Sequence, residues 1–248
     1  MALRGRDLLT PFTAQDIPCA KADMSMRLLL RLVMLALIAC ASTGANAQDD
    51  STLYVVSYIE VVPASQGQVA TMLKQLAEAS RKESPVRFEI LQRNTDPNQF
   101  VILEIWKDQR ALDAHTTAAH TRQFRDQVAP MLLAPIDDRL CVAATVAPLR
   151  DARGSVYVVT HVDVPPTGRD ATVVSLQALA ERSRKDPGNV RFDAVYQKNR
   201  TNHFTVIDVW SDQKSGDNHQ VAAHTQAFRT QLAPLLGALY DQRWYKPL

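Results

Sequence analysis

The sequence comprises 248 residues, of which 46% are hydrophobic, 22% charged and 6% aromatic, with 8 Gly and 13 Pro. This composition is typical of globular domains and excludes a collagen, a coiled coil and a wholly disordered chain. Lys and Arg number 28 against 26 for Asp and Glu, a net charge of +2 without a basic cluster, so nucleic acid is excluded as the main partner.

The first 47 residues are predicted to form an N-terminal extension and a secretory signal peptide. Arg27 and Arg31 border an apolar run over residues 32–39, and small residues follow it. The run is about half of the ~20 residues that a transmembrane helix needs, and Ala45-Asn46-Ala47 places small side chains where signal peptidase cleaves. We therefore expect cleavage after Ala47 and a periplasmic or secreted protein.

Two alternatives for this segment stay open. A membrane anchor is disfavoured because the apolar stretch is short and contains an arginine. The string Leu37-Ile38-Ala39-Cys40 resembles a bacterial lipobox, in which Cys40 carries the lipid and becomes the mature N-terminus. Residues 1–23 precede the signal and have no periodicity, so translation is expected to start at Met24 or Met26.

The remainder of the chain is one unit that occurs twice. The segment LYVVSYIEVVP at 53–63 matches VYVVTHVDVPP at 156–166. A one-residue insertion near Pro187-Gly188 shifts the alignment, and the matches then continue to the end of the chain. We expect a first domain at 51–145, a linker at 146–154 and a second domain at 155–248.

Within the first copy, hydrophobic periodicity and turn residues predict a β-α-β-β-α-β order. The predicted elements are a strand over 53–62, a helix over 65–82 with Ser65 as N-cap, strands over 86–93 and 99–106 around a turn at 94–98, a short helix from 108 to about 115, a longer helix from about 117 to 133, and a strand over 136–143. This order is ferredoxin-like and belongs to the α+β class. Such a sheet carries helices on one face only. We therefore expect the tandem copies to bury their bare faces against each other as an intramolecular dimeric α+β barrel, and further self-association stays open.

The third strand of each copy places a carboxylate beside a tryptophan. Alternation puts Glu104 and Trp106 on one face, and Asp208 and Trp210 repeat the arrangement. An aliphatic residue precedes each carboxylate on that face, and such surroundings disfavour the charged form and raise a carboxyl pKa toward neutrality. A general base is one use of such a group.

Two other environments are open for these carboxylates. One is a solvent-facing position at the end of the strand. The other is an ion pair with an arginine of the neighbouring strand, Arg87 or Arg191, which would hold the carboxylate ionised. The two arginines are therefore second-tier site candidates.

The histidines in each copy do not predict a metal site. His115 and His120 are five residues apart, or ~140° around a helix, so they lack the i, i+4 spacing of a zinc helix. His120 lies on a stripe with Phe124 and Val128, and His224 repeats it, so His120 is predicted to be better placed than His115. A satisfied core histidine and a pocket histidine that titrates near neutrality both fit this pattern.

On the first strand Tyr58 corresponds to His161, which is the clearest chemical difference between the copies. These two residues, together with Phe88 and Phe192, are the predicted lining of a substrate pocket. Nucleotide-binding glycine motifs, a serine-hydrolase elbow and the zinc motif H-E-x-x-H do not occur in the sequence, so no cofactor and no metal are predicted.

The segment from Arg87 to Phe124, RFEILQRNTDPNQFVILEIWKDQRALDAHTTAAHTRQF, resembles the antibiotic biosynthesis monooxygenase (ABM) family, and within it the quinol monooxygenases. The hallmarks are a strand ending in E-x-W, a short D-x-x-A-L-x-x-H helix, and then a second His and a Phe. The resemblance covers both copies and is stronger in the first. Ser215-Gly216 replaces Ala111-Leu112 in the second copy, which predicts a weaker short helix there and makes the first copy the expected working one.

The resemblance implies a dimeric α+β barrel and the oxygenation of a small quinol or phenol by O2 without flavin, haem or metal. On that basis we assign candidate roles in pairs: Glu104 or Asp208 as base, His120 or His224 as proton shuttle and donor to the phenolate, and Trp106 or Trp210 as the wall that positions the substrate ring. Relatives that degrade haem or oxidise polyketides use an Asn on the first or third strand, which this chain lacks. The alternative function is a non-catalytic periplasmic ligand-binding or structural module with the same barrel.

Overall fold

The computed structural model describes residues 51–148 and 156–248. The predicted signal peptide, the alternative lipobox at Cys40 and most of the predicted linker lie outside these residues. Among the helices of the described residues, none has both the length and the apolar character needed to cross a membrane.

Each copy, hereafter a repeat, forms four strands and three α-helices. The first repeat contains strands β1 (Leu53–Glu60), β2 (Arg87–Arg93), β3 (Gln99–Trp106) and β4 (Asp137–Thr145), and helices α1 (Gln66–Arg81), α2 (Gln109–Thr117) and α3 (Ala119–Val128). The second contains strands β5 (Val156–Asp163), β6 (Asn189–Gln197), β7 (His203–Trp210) and β8 (Asp241–Pro247), and helices α4 (Arg169–Ser183), α5 (Gln213–Val221) and α6 (Ala223–Leu232). The predicted longer helix ends earlier than expected, at Val128, and continues as a 3-10 turn, because Pro130 has no N–H to donate to a further α-helical turn.

The eight strands close into one antiparallel barrel in the order β1-β3-β2-β8-β5-β7-β6-β4. The strands of each repeat are contiguous in this order, and the two sheets join where β2 pairs with β8 and β4 pairs with β6. Each repeat therefore covers both edges of the other, which leaves no unpaired edge strand. This arrangement confirms the predicted intramolecular barrel of two ferredoxin-like repeats.

The interior of the barrel is a core shared by both repeats. It is formed by side chains that point away from the helices: Val56, Leu91, Val101, Leu103, Tyr157, Val159, Ile207, Val209 and Tyr245. The opposite face of each sheet packs against that repeat's own helices, with Phe100, Ile102 and Trp106 in the first repeat. The bare faces of the two sheets thus bury each other, as the sequence predicts.

The short helix of the second repeat keeps its full length although Ser215-Gly216 replaces Ala111-Leu112. Helices α2 and α5 both contain nine residues, and each has an aspartate N-cap, Asp108 or Asp212, whose side chain accepts a backbone N–H. Gly216 is buried beneath the ring of Trp244, where a Cβ would lie 3.0 Å from Cζ3. The second repeat thus packs the Trp244 ring over Gly216, where the first repeat has the side chain of Leu112.

A network of charged side chains links the two repeats inside the barrel. Arg191 donates to Glu89 over 2.7 Å, and Arg87 and the Tyr157 hydroxyl donate to the same carboxylate over 3.0 Å each. Burial alone would raise the pKa of Glu89, but the two guanidinium groups outweigh that effect and lower it. The alternative in which Arg87 or Arg191 pairs with Glu104 or Asp208 is therefore wrong, because both arginines pair with Glu89 on the opposite face of the sheet.

We predict that Glu89→Ala lowers the free energy of unfolding by about 3 kcal/mol, because it leaves the buried guanidinium of Arg191 without its closest partner. Glu181→Ala is the matched control, since it removes an exposed ion pair with Lys185 and should change stability by less than about 1 kcal/mol. Urea unfolding of both variants checks the prediction. Equal losses in the two variants would contradict a special role for the inter-repeat pair.

Candidate active site

The helix-facing side of β3 carries the carboxylate and the indole that the sequence singles out. Trp106 donates its Nε1–H to Glu104 Oε2 over 2.6 Å, and both side chains are buried. The second repeat reproduces the contact between Trp210 and Asp208 at 3.0 Å. Residues two apart on a strand share a face, so the strand itself brings each pair together.

Burial makes both carboxyl groups weaker acids than exposed Glu and Asp side chains. It raises the pKa of Glu104 to about 7 and outweighs the hydrogen bond from Trp106, which acts in the opposite direction. Burial likewise raises the pKa of Asp208 to about 7. The shift has the direction that the sequence predicts, and it leaves each group able to take or give a proton near neutral pH.

A break between two helices brings the histidines of each repeat together. Helix α2 ends at Thr117, Ala118 has an extended backbone with ψ 147°, and α3 begins at Ala119. The angle of ~140° between His115 and His120 applies only to one continuous helix, so it does not describe these two residues, which lie on either side of the break. Their ring centroids lie 5.8 Å apart. In the second repeat His219 and His224 lie 5.5 Å apart across the same break.

His115, rather than His120, lies against the carboxylate. The His115 ring stacks on Trp106 with 4.7 Å between centroids, and its Nε2 lies 3.7 Å from Glu104 Oε2. It is 4% exposed, and burial lowers its pKa. His120 is the outer of the two histidines, because its side chain is 29% exposed and its Nε2 lies 3.6 Å from Glu83. The prediction that His120 is better placed than His115 is therefore wrong, because His115 is the buried histidine that contacts the carboxylate.

Glu83 completes the cluster and was missed from the sequence. It follows the last turn of α1, and its Oε2 lies 2.6 Å from His115 Nδ1. Asp186 takes the same place in the second repeat, 2.9 Å from His219 Nδ1. The signal was present, because both repeats carry an acidic residue directly after the matching Ser-Arg-Lys segments. A carboxylate at the C-terminal end of a helix is electrostatically unfavourable, which makes its recurrence informative.

In the first repeat these contacts form one chain of polar groups from the core to the surface. It runs from Trp106 through Glu104 and His115 to the solvent-accessible Glu83. Among the described residues of the second repeat, Asp208 and His219 have no such contact within 4.0 Å. Aspartate is one methylene shorter than glutamate, which accounts for the difference.

The four predicted pocket residues lie on opposite faces of the sheet. Phe88 and Phe192 are in the helix layer, with ring centroids 5.7 and 5.6 Å from those of His115 and His219. Tyr58 and His161 lie on the barrel side, 4.9 Å from each other. The structure therefore brings the phenylalanines to the candidate site and does not bring Tyr58 or His161 there.

Two cavities border the site in the first repeat. A groove of about 500 Å³ between α1, β2 and the C-terminal residues is lined in part by Phe88, Arg81 and Leu248. A cleft of about 100 Å³ beside His120 is lined by residues of α1 and α3. Only the groove has the size of a typical small-molecule site, and Phe88 lies between it and the ring of His115.

Comparisons with known proteins identify the same two segments as the repeats. The family model described as "Antibiotic biosynthesis monooxygenase" matches residues 52–127 and 155–231. The candidate monooxygenase YcnE of Bacillus subtilis is 30% identical over 82 residues, which cover 33% of this chain and 86% of that protein. An uncharacterised protein of Synechocystis is 21% identical over 134 residues, which cover 52% of this chain and 91% of that protein.

Solved structures share the tandem fold. A candidate monooxygenase from Fusobacterium nucleatum superposes with a TM-score of 0.70 at 16% identity, covering 81% of this chain and 94% of that one. An anthrone oxidase-like protein superposes with a TM-score of 0.62 at 12% identity, covering 81% of this chain and 93% of that one. At these identities the likeness concerns the fold alone.

The three tryptophans provide a direct test of the buried carboxyl groups. We predict that the indole N–H resonances of Trp106 and Trp210 move downfield as the pH rises through about 7, because each indole then donates to an ionised carboxylate. Trp244, whose indole has no carboxylate acceptor among the described residues, is the internal control. Glu104→Gln should abolish only the Trp106 shift and Asp208→Asn only the Trp210 shift. Resonances that stay fixed between pH 5 and 9 would contradict the assignment.

Proposed function

The chain belongs to the antibiotic biosynthesis monooxygenase family, and from that membership we propose that its first repeat oxygenates a quinol or related phenol with O2. The observation that carries the proposal is the buried Glu104 carboxylate, held by the Trp106 indole and facing the His115 imidazole. This arrangement supplies a base in a low-dielectric site, next to aromatic rings that suit a flat phenolic substrate.

The reaction balances without an added reductant. Glu104 takes the phenolic proton, and the phenolate passes one electron to O2. Combination of the two resulting radicals forms a C–O bond, and loss of water then gives the hydroxylated quinone. One oxygen atom enters the product and the other leaves as water, and the quinol supplies all four electrons that O2 accepts. The protein must provide a base, orientation and exclusion of bulk water.

The contacts favour different roles for the two histidines. His115 Nε2 lies 3.7 Å from Glu104 Oε2, so with its own proton on Nδ1 the imidazole can accept the proton from Glu104 at Nε2 and pass one outward from Nδ1. Glu83 accepts from His115 and lies near solvent, which makes it the outer end of the proton path. His120 contacts Glu83 and not Glu104, so we assign it to proton exchange with solvent.

Substrate access is proposed through the groove beside Phe88. The groove is large enough for a one-ring or two-ring phenol, and Phe88 separates it from His115. Phe88 pairs with Glu104 across β2 and β3, so both side chains point into the same layer. We propose that a change of the Phe88 rotamer connects the groove to the carboxylate.

The first repeat is proposed as the working one because its buried carboxylate approaches the inner histidine, with 3.7 Å between Glu104 Oε2 and His115 Nε2. Glu104 reaches His115, whereas the shorter Asp208 lacks the equivalent contact. This reason differs from the one that the sequence suggested, since the short helix of the second repeat is fully formed.

We predict that Glu104→Gln lowers the rate constant for O2 consumption with hydroquinones roughly 10²–10⁴-fold, the usual contribution of a general base. The wild-type rate should rise with pH through about 7, because only ionised Glu104 accepts the phenolic proton. Asp208→Asn is the matched control and should retain the wild-type rate. Oxygen uptake by chelator-treated protein, corrected for autoxidation in buffer, is the measurement.

Three outcomes of this experiment would support or refute the proposal. Loss in Glu104→Gln alone supports the proposal. Loss in Asp208→Asn alone contradicts the assignment to the first repeat. A wild-type rate that does not exceed autoxidation for any quinol refutes the enzymatic function and favours the non-catalytic binding or structural module.

We also propose that the protein is exported and that the mature chain begins at Gln48. The expected result is an intact mass, for protein recovered from the periplasm or medium, that corresponds to residues 48–248. A lipid-modified species that begins at Cys40 would support the lipobox instead. A full-length species confined to the cytosol would contradict both.

A further inference from the structure

In the second repeat two histidines converge on a single carboxylate oxygen. Asp186 Oδ2 lies 2.9 Å from His219 Nδ1 and 3.0 Å from His224 Nε2. The two imidazoles come from the two sides of the helix break at Ala222, and the carboxylate comes from the turn after α4. We propose that Asp186, His219 and His224 bind one divalent transition-metal cation.

The distances fit the proposal better in this repeat than in the first. Bonds of 2.0–2.2 Å from one cation to nitrogen and oxygen ligands place neighbouring ligand atoms roughly 2.8–3.1 Å apart in octahedral and roughly 3.3–3.6 Å apart in tetrahedral geometry. Both Asp186 distances, 2.9 and 3.0 Å, fit the octahedral spacing. In the first repeat the corresponding distances are 2.6 and 3.6 Å and involve two different oxygens of Glu83. Glu83 therefore forms one short hydrogen bond and one loose contact, whereas Asp186 lies between two imidazoles at nearly equal distances.

The surrounding residues hold His219 in place and leave the cluster open to solvent. His219 stacks on Trp210 with 4.7 Å between centroids and meets the edge of Phe192, so its ring is fixed before any cation binds. The side chains of Asp186 and His224 are 20% and 15% exposed, which gives a cation a path to the ligand atoms. Preorganised ligands with an open side are what a site with three protein ligands requires.

The ligand set also indicates which cations bind. Two imidazole nitrogens and one carboxylate suit Zn²⁺, Fe²⁺, Co²⁺, Ni²⁺ or Cu²⁺, whereas Mg²⁺ and Ca²⁺ favour oxygen ligands. Binding displaces the protons that the imidazoles share with Asp186. This inference does not depend on the proposed oxygenation, because Asp186, His219 and His224 take no part in the first-repeat mechanism.

The test measures Zn²⁺ bound per chain by equilibrium dialysis of the full-length protein after chelator treatment. His224→Ala and Asp186→Asn should each bind one equivalent fewer than the wild type, and His120→Ala, the matched change in the first repeat, should bind as much as the wild type. Zinc bound elsewhere, including by cysteines, is common to all variants and cancels in the difference. Circular dichroism of the metal-free variants verifies that each is folded.

A second readout follows from linkage. A cation that binds only the folded state raises the melting temperature by an amount that grows with the logarithm of its free concentration relative to the dissociation constant. Zn²⁺ should therefore raise the melting temperature of the wild type and of His120→Ala by more than that of His224→Ala. Equal stoichiometry in the wild type and His224→Ala would overturn the proposal, and so would a loss confined to His120→Ala. Since neither readout uses oxygen consumption, failure here leaves the proposed function untouched, and the converse also holds.

Discussion

A four-stranded sheet with helices on one face must bury the other, and this constraint organises the whole molecule. The chain meets it by providing a second copy of the same sheet, so that the bare faces form one interior core. Pairing of β2 with β8 and of β4 with β6 then closes the barrel and satisfies the edge strands at the same time. Because the tandem chain makes this association intramolecular, it does not depend on protein concentration.

Closure of the barrel also decides where chemistry can occur. The interior holds aliphatic and tyrosine side chains and the inter-repeat network around Glu89, and the candidate sites lie in the two outer helix layers. Carboxyl groups on the two faces behave in opposite ways. Glu89 is paired with two guanidinium groups and has a lowered pKa, whereas Glu104 meets mainly aromatic groups and has a raised one. Burial is common to both, and the partner determines the sign of the shift.

Duplication has let the repeats diverge while the fold is preserved. Gly216 beneath Trp244 occupies the place of Leu112 in the first repeat, a change of shape that keeps α5 at full length. The replacement of Glu104 by Asp208 removes one methylene and with it the contact to the inner histidine. Asp186 in place of Glu83 brings a single oxygen between both imidazoles. Small changes in side-chain length thus change which groups meet: Glu104 approaches His115 in one repeat, and Asp186 contacts both imidazoles in the other.

The sequence by itself determined the repeat, the order of the strands and helices, the mutual burial of the two sheets and the shared face of each carboxylate and its tryptophan. These properties follow from periodicity and from neighbours one or two residues away, which the chain specifies locally. Only the tertiary structure decided that His115 is more deeply buried than His120. It also decided that Glu83 and Asp186 lie in the candidate sites and that Tyr58 and His161 lie outside them. A single extended residue at Ala118 changes the direction of the chain, and the end of α1 meets α2 only through packing. Likewise Arg87 and Phe88 are neighbours in sequence but lie on opposite faces of the sheet, because successive side chains on a strand point in opposite directions. Closure of the barrel then decides which residues each face contacts.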